Sequence, residues 1–151
     1  MDKSKTEPLG MWRYGKEFSE TAYAVRERAL KRPFVPYYFL MGHSIELLLK
    51  SFLMLHGCSE AGIKKFRHNL DDLFHDAMKL GLSELVSVKS VDKHVIELMN
   101  GEYSTHRFRY IRTGMMVLPE IGLLEDLVSR LISGLEKPIA NSASSVSRHG
   151  D

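Results

Sequence analysis

The stretch Pro36-Tyr-Tyr-Phe-Leu-Met-Gly-His-Ser-Ile-Glu-Leu-Leu-Leu-Lys-Ser-Phe-Leu-Met-Leu-His56 decides the fold. Its apolar residues Tyr38, Leu40, Met41, Ile45, Leu47, Leu48, Leu49, Phe52, Leu53 and Leu55 cover most of a helix circumference. A helix apolar nearly all round belongs in the middle of a bundle. Pro36 suits its first turn, and Gly57 is a natural stop. Three ionisable residues interrupt the apolar surface within it: His43, Glu46 and Lys50. Successive residues turn by about 100°, so these three fall within an arc of roughly 60°. The stretch is long enough to raise a membrane question, but charged residues at mid-bilayer are costly, and a buried core helix is the expectation.

Upstream, Phe18, Ala22, Val25 and Ala29 recur at helical spacing and predict a helix from about Tyr14 to Lys31. The prolines of Arg32-Pro-Phe-Val-Pro36 end it, because each removes a donor and disfavours helix in the residue before it. Downstream, a helix is expected from about Asn69 to Leu80, with Leu70, Leu73, Phe74 and Ala77 on one face. Asn69 is its predicted N-cap, Asp71 and Asp72 favour the dipole, and Gly81 stops it. A fourth helix is expected from Ser83 or Ser90 to Asn100-Gly101. A fifth runs from about Pro119 to Leu135, with a stripe of Ile121, Leu124, Leu127, Val128, Leu131 and Leu135. No alternating strand pattern is present, so the predicted class is all-α. The expected layout is an N-terminal tail over 1–13, a helical bundle over 14–136, and a disordered, Ser-rich C-terminal tail over 137–151.

The 151 residues fit one domain, with 44% hydrophobic and 26% charged residues, as in ordinary globular proteins. A formal charge of +2 is too mild to imply nucleic-acid binding by itself. Cys58 is the one cysteine, which excludes an intrachain disulfide and fits a reducing compartment. With no apolar segment in the first ten residues, the expected location is the cytoplasm, with no membrane association. There is no Gly-rich phosphate loop, no HExxH, no Gly-x-Ser-x-Gly and no paired-Cys zinc pattern, so no cofactor and no metal are expected.

Two passages carry a family resemblance. Gly42-His-Ser-Ile-Glu-Leu-Leu-Leu-Lys50, followed after a loop by Arg67-His-Asn-Leu-Asp-Asp-Leu-Phe-His-Asp-Ala77, resembles the HEPN superfamily pattern. In that pattern an apolar helix carrying Glu-x-x-x-Lys precedes a His-(Asn/Asp)-Leu-x-x-Leu helix start. Arg109-Tyr110 is similar to the Arg-Tyr pair in a late loop of many members. The resemblance covers roughly Tyr14 to Leu135. It implies a HEPN-like bundle of four to five helices, homodimerisation, and nucleotide or RNA handling in bacterial defence or toxin–antitoxin systems. The partner in such a system would be a nucleotidyltransferase or an antitoxin. Catalytic members resemble one another in an Arg followed, after four to six residues, by His. Here Arg67 and His75 are separated by seven residues, and no His follows Arg107, Arg109 or Arg112 at a usable distance.

Three functional readings follow. In the first, the chain binds nucleotide or single-stranded RNA without independent catalysis. Arg107, Arg109, Tyr110 and Arg112 hold phosphates and stack a base with Tyr103, while His43, Glu46 and Lys50 line the adjoining cleft. Arginine pairs bidentately with phosphate, and aromatic faces stack on exposed bases. The bland alternative for the helix is a solvated i,i+4 Glu46–Lys50 pair. For the loop it is aromatics that anchor on the bundle while the arginines pair with carboxylates. In the second, a displaced Arg/His site drawn from Arg67, His68, His75 and His106 makes a metal-independent ribonuclease. In the third, the helix faces bind a partner chain. His68, Asp72 and His75 share one face of their helix, and that face is expected to be solvated.

Overall fold

The computed structural model describes residues 6–105 and 115–148. Among them are eight helices and no strand: α1 (Pro8–Ala24), α2 (Arg26–Lys31), α3 (Val35–Leu55), α4 (Glu60–Lys64), α5 (Leu70–Lys79), α6 (Leu82–Leu85), α7 (Asp92–Tyr103) and α8 (Ile121–Arg148). The protein is an all-α bundle. Its core helix is α3, which packs against α1, α2, α4, α5, α7 and α8. Ile45, Leu48, Leu49, Phe52 and Leu53 are fully buried there. By length and mean hydropathy (1.3) α3 passes for a membrane span, yet 67% of that apolar window is buried inside the bundle. Pro36 sits in its first turn, and Gly57, with φ of 92°, follows its end.

α1 begins six residues before Tyr14, at Pro8, so the expected N-terminal tail over 1–13 is corrected. The cause is tertiary. Trp12 is buried, and its Nε1–H donates to the Ile132 carbonyl of α8 at 3.0 Å, which ties the first turns of α1 across the bundle. The helix expected to run unbroken to Lys31 breaks at Val25 (φ −110°, ψ 10°). Past the break, Arg26 donates through Nε to Glu125 of α8 at 2.9 Å.

The larger correction is at the other end. α8 passes the expected end at Leu135, contains Pro138, and continues to Arg148. Residues 138–148 are therefore helix where a disordered tail over 137–151 was expected. Proline removes a donor and costs roughly 3 kcal/mol in a helix interior. Ile139, only 1% exposed, offsets this by packing one residue later. Ile139, Ser142 and Ala143 lie beside Glu7, Pro8 and Leu9, so the two chain ends support each other.

α5 forms as its sequence predicts. Asn69 Oδ1 accepts from the Asp72 N–H at 3.1 Å, the apolar face of Leu70, Leu73, Phe74 and Ala77 is buried, and Gly81 follows with φ of 94°. α7 starts later than Ser83 or Ser90 and ends later than Gly101, at Tyr103. Val95, Met99 and Tyr103 are buried at spacings of four, which extends the helical phase through the expected stop. The chain entering α7 is latched to α8. Arg130 donates Nη1–H and Nη2–H to the two oxygens of fully buried Asp92, at 2.7 and 2.6 Å, and Nε–H to Asp126 at 2.9 Å.

Candidate functional site

Where α3, α7 and the α4–α5 loop meet, one carboxylate gathers three donors. Glu46 Oε2 accepts from Lys50 Nζ at 3.1 Å. Glu46 Oε1 accepts from His68 Nδ1 at 2.7 Å and from the Tyr103 hydroxyl at 2.8 Å. Glu46 is 3% exposed and Lys50 8%, so their i,i+4 pair is buried and does not sit on a wet edge. Tyr103 gives its single hydroxyl hydrogen to Glu46. Its 3.0 Å bond to His43 therefore assigns His43 Nδ1 as a donor. By the same logic His68 carries hydrogen on Nδ1. Burial pushes the Glu46 carboxyl up. The charge of Lys50 and the hydrogen bonds from His68, Tyr103 and Lys50 outweigh burial and hold it below the usual carboxylate range.

Backbone geometry makes this convergence possible. A Cβ added at Gly42 would lie 2.6 Å from Tyr103 Cδ2, so the ring can reach Glu46 only because α3 has no side chain there. At the base of the α4–α5 loop, Arg67 has φ of 52°, a left-handed conformation rare for a residue with a side chain. Lys50 Nζ also donates to the Arg67 carbonyl at 2.8 Å.

In front of this network lies a pocket of about 740 Å³ lined by Lys50, Lys64, Lys65, Phe66, Arg67, His68, Asn69, Asp72 and Ser104. Lys64, Lys65 and Arg67 are exposed, and Phe66 and His68 are half-buried. Four fixed cations and one imidazole thus face a single carboxylate, Asp72, with an aromatic ring among them. Such a cavity has the donors to hold an anion and a flat face to stack against.

Of the residues the sequence singles out, Lys50, Arg67 and His68 line this pocket, and Glu46 lies behind it. His43 is half-buried on the far side of Tyr103, edge-on to Phe18 at 4.6 Å. Tyr103 departs from the expectation of a loop aromatic available for stacking. It closes α7, 3% exposed, and spends its hydroxyl on Glu46. Of the expected solvated face of His68, Asp72 and His75, Asp72 and His75 are exposed as expected, whereas His68 precedes α5 and turns inward to Glu46. His75 is exposed and lines a different cavity with Phe74, Met78 and Lys93, so Arg67 and His75 do not share one pocket. His106, Arg107, Arg109, Tyr110 and Arg112 lie outside the described residues.

Sequence reasoning missed Lys64, Lys65, Phe66 and Ser104. The run Lys64-Lys-Phe-Arg-His68 was a usable signal, a basic stretch with an aromatic inside it. It missed Asn100 too, whose Oδ1 accepts from the Leu70 N–H at 2.7 Å and whose Nδ2 donates to Asp71 at 2.9 Å, fixing the start of α5 to α7.

The class defined by this geometry is an all-helical bundle with a buried charge network behind a basic pocket. Comparison of the chain with protein-family models, with curated proteins and with solved structures finds no match.

Proposed function

We propose that this chain is a HEPN-like cytoplasmic bundle that binds a nucleotide or a single-stranded RNA through phosphate contacts, without catalysis of its own. The observation that carries this reading is the clustering of Lys64, Lys65, Arg67 and Lys50 around one pocket beside the half-buried ring of Phe66. Phosphate oxygens pair with the exposed cations, and a base lies against the aromatic face. Ser104 lines the pocket, and Arg107, Arg109 and Arg112, which follow it closely along the chain, also hold phosphate in this reading. The resemblance adds a second copy of the chain as the natural assembly, and a toxin–antitoxin or defence system, with a nucleotidyltransferase or antitoxin partner, as the setting.

The test is fluorescence anisotropy of a labelled single-stranded RNA, with unlabelled nucleoside triphosphate as competitor. Wild type is expected to bind with an affinity that falls as salt rises, because phosphate contacts release counterions. Lys64→Ala/Arg67→Ala is expected to weaken binding at least tenfold. Flat curves for wild type with RNA, together with no nucleotide binding, sink the reading.

One observation favours a ribonuclease as the second reading. Glu46 holds His68 by Nδ1 at 2.7 Å, the arrangement that fixes an imidazole for general-base work, and Arg67 is its chain neighbour. RNA cleavage that persists in EDTA and disappears in His68→Ala supports this reading, and intact RNA after long incubation removes it.

A further inference from the structure

Resting on the phosphate-binding reading above, we propose that Lys50 is a positioning residue, whose buried ammonium holds Arg67 in a left-handed backbone and so presents the Arg67 guanidinium to the pocket. Three observations meet here. Arg67 has φ of 52° where glycine would be unstrained. Lys50 Nζ donates to the Arg67 carbonyl at 2.8 Å and to Glu46 Oε2 at 3.1 Å. Lys50 is 8% exposed while Arg67 is exposed and lines the pocket.

The logic is one of preorganisation. A strained backbone persists only where its surroundings over-determine it, and such strain collects at sites that need a fixed geometry. One buried carboxylate fixes two consecutive residues by different routes. Glu46 Oε1 takes the imidazole of His68 directly, and Glu46 Oε2 takes Lys50, which takes the backbone of Arg67. Residues 67 and 68 are thus delivered to the pocket as one unit, with little conformational freedom to lose when an anion binds. Lys50 gives two of its three ammonium hydrogens to protein oxygens, and in this proposal its role toward an anion is to hold Arg67. The anion contact falls to the exposed cations.

Two variants separate this from a merely structural role, with inorganic pyrophosphate as the probe and amide chemical-shift titration as the readout. Lys50→Met/Glu46→Gln removes one positive and one negative buried charge, so the net charge is unchanged. A loss of affinity then reports the geometry that the Glu46–Lys50 pair imposes on residues 67 and 68, and not long-range attraction. The expected result is at least a fivefold weaker pyrophosphate affinity with Arg67 still in place. Arg67→Gly removes the strained side chain and keeps the backbone conformation accessible. It is expected to raise the melting temperature by about 3 °C while losing pyrophosphate binding. An Arg67→Gly protein no more stable than wild type, or one that binds as wild type does, overturns the proposal, as does unchanged affinity in the double variant. If the double variant does not fold, Arg67→Gly alone decides by the same criteria. Wild type that fails to bind pyrophosphate, RNA and nucleotide overturns the phosphate-binding reading itself. Wild type that binds while both variants match it overturns only the role of Lys50.

Discussion

Glu46 carries more of the site than any other side chain, and its chemistry sets a pH signature. The folded carboxyl lies below its ordinary range, because Lys50, His68 and Tyr103 together outweigh burial. The native state therefore binds fewer protons than the unfolded chain as pH falls through the carboxylate range. The resulting stability is present above the unfolded pKa and is lost as pH drops through the folded one. Glu46→Gln is expected to destabilise by on the order of 3 kcal/mol at pH 7, since it leaves Lys50 buried without its counter-charge. That difference should shrink steadily below about pH 4.3, where unfolded glutamate protonates. Urea melts of both proteins from pH 3 to 7 measure it, and a pH-independent difference would refute the assignment. Gly42 is the second lever. Gly42→Ala drives a methyl into the Tyr103 ring and should cost about 2 kcal/mol, while weakening the Tyr103–Glu46 bond. A smaller loss in Gly42→Ala/Tyr103→Phe than the two single changes sum to would show that the methyl acts by pushing the hydroxyl off Glu46.

At the scale of elements, the connections are what hold the helices in register. Asp92 accepts both Nη groups of Arg130 and also the Lys89 N–H at 2.7 Å, so the turn into α7 and the middle of α8 share one fully buried carboxylate. Asp92→Ala is expected to cost about 3–5 kcal/mol, the usual penalty for leaving a buried partner charge alone. Chemical denaturation at neutral pH reads this directly, and a loss under 1 kcal/mol would mean that the latch is solvated. Element type was legible where a strong apolar period met a good cap, as in α5 with Asn69 and Gly81. It was illegible where long-range contacts set the ends. The start of α1 depends on Ile132, more than a hundred residues away, and the end of α7 depends on Tyr103 reaching Glu46. Short α4 and α6 bury little and carry no period long enough to read, although Ser59 caps α4 by accepting from Gly62 N–H.

For the whole molecule, the centre was readable and the periphery was not. The apolar α3 announced the bundle, while its His43–Glu46–Lys50 stripe left open either a polar cleft or a solvated Glu46–Lys50 pair. The partners of that junction, from the α4–α5 loop and from α7, are set by packing that no spacing rule encodes. The C-terminal segment is the clearest miss. Pro138 and the serines argue against helix locally, while the buried face that continues from Leu135 to Ile139 decides for it. Ile139→Ala is therefore expected to cost about 2–3 kcal/mol, where a disordered tail would show no change. Thermal melts distinguish the two.

The Trp12 indole bonded to the Ile132 carbonyl has a practical consequence. It is the sole tryptophan of the chain, so emission excited at its absorption edge samples one junction, the seam of α1 against α8. Circular dichroism samples every helix at once. Superimposable curves from the two spectroscopies would mean that the seam opens only when everything does. An earlier emission change would reveal the two chain ends peeling away from a still-helical centre, with the lone indole as the gauge.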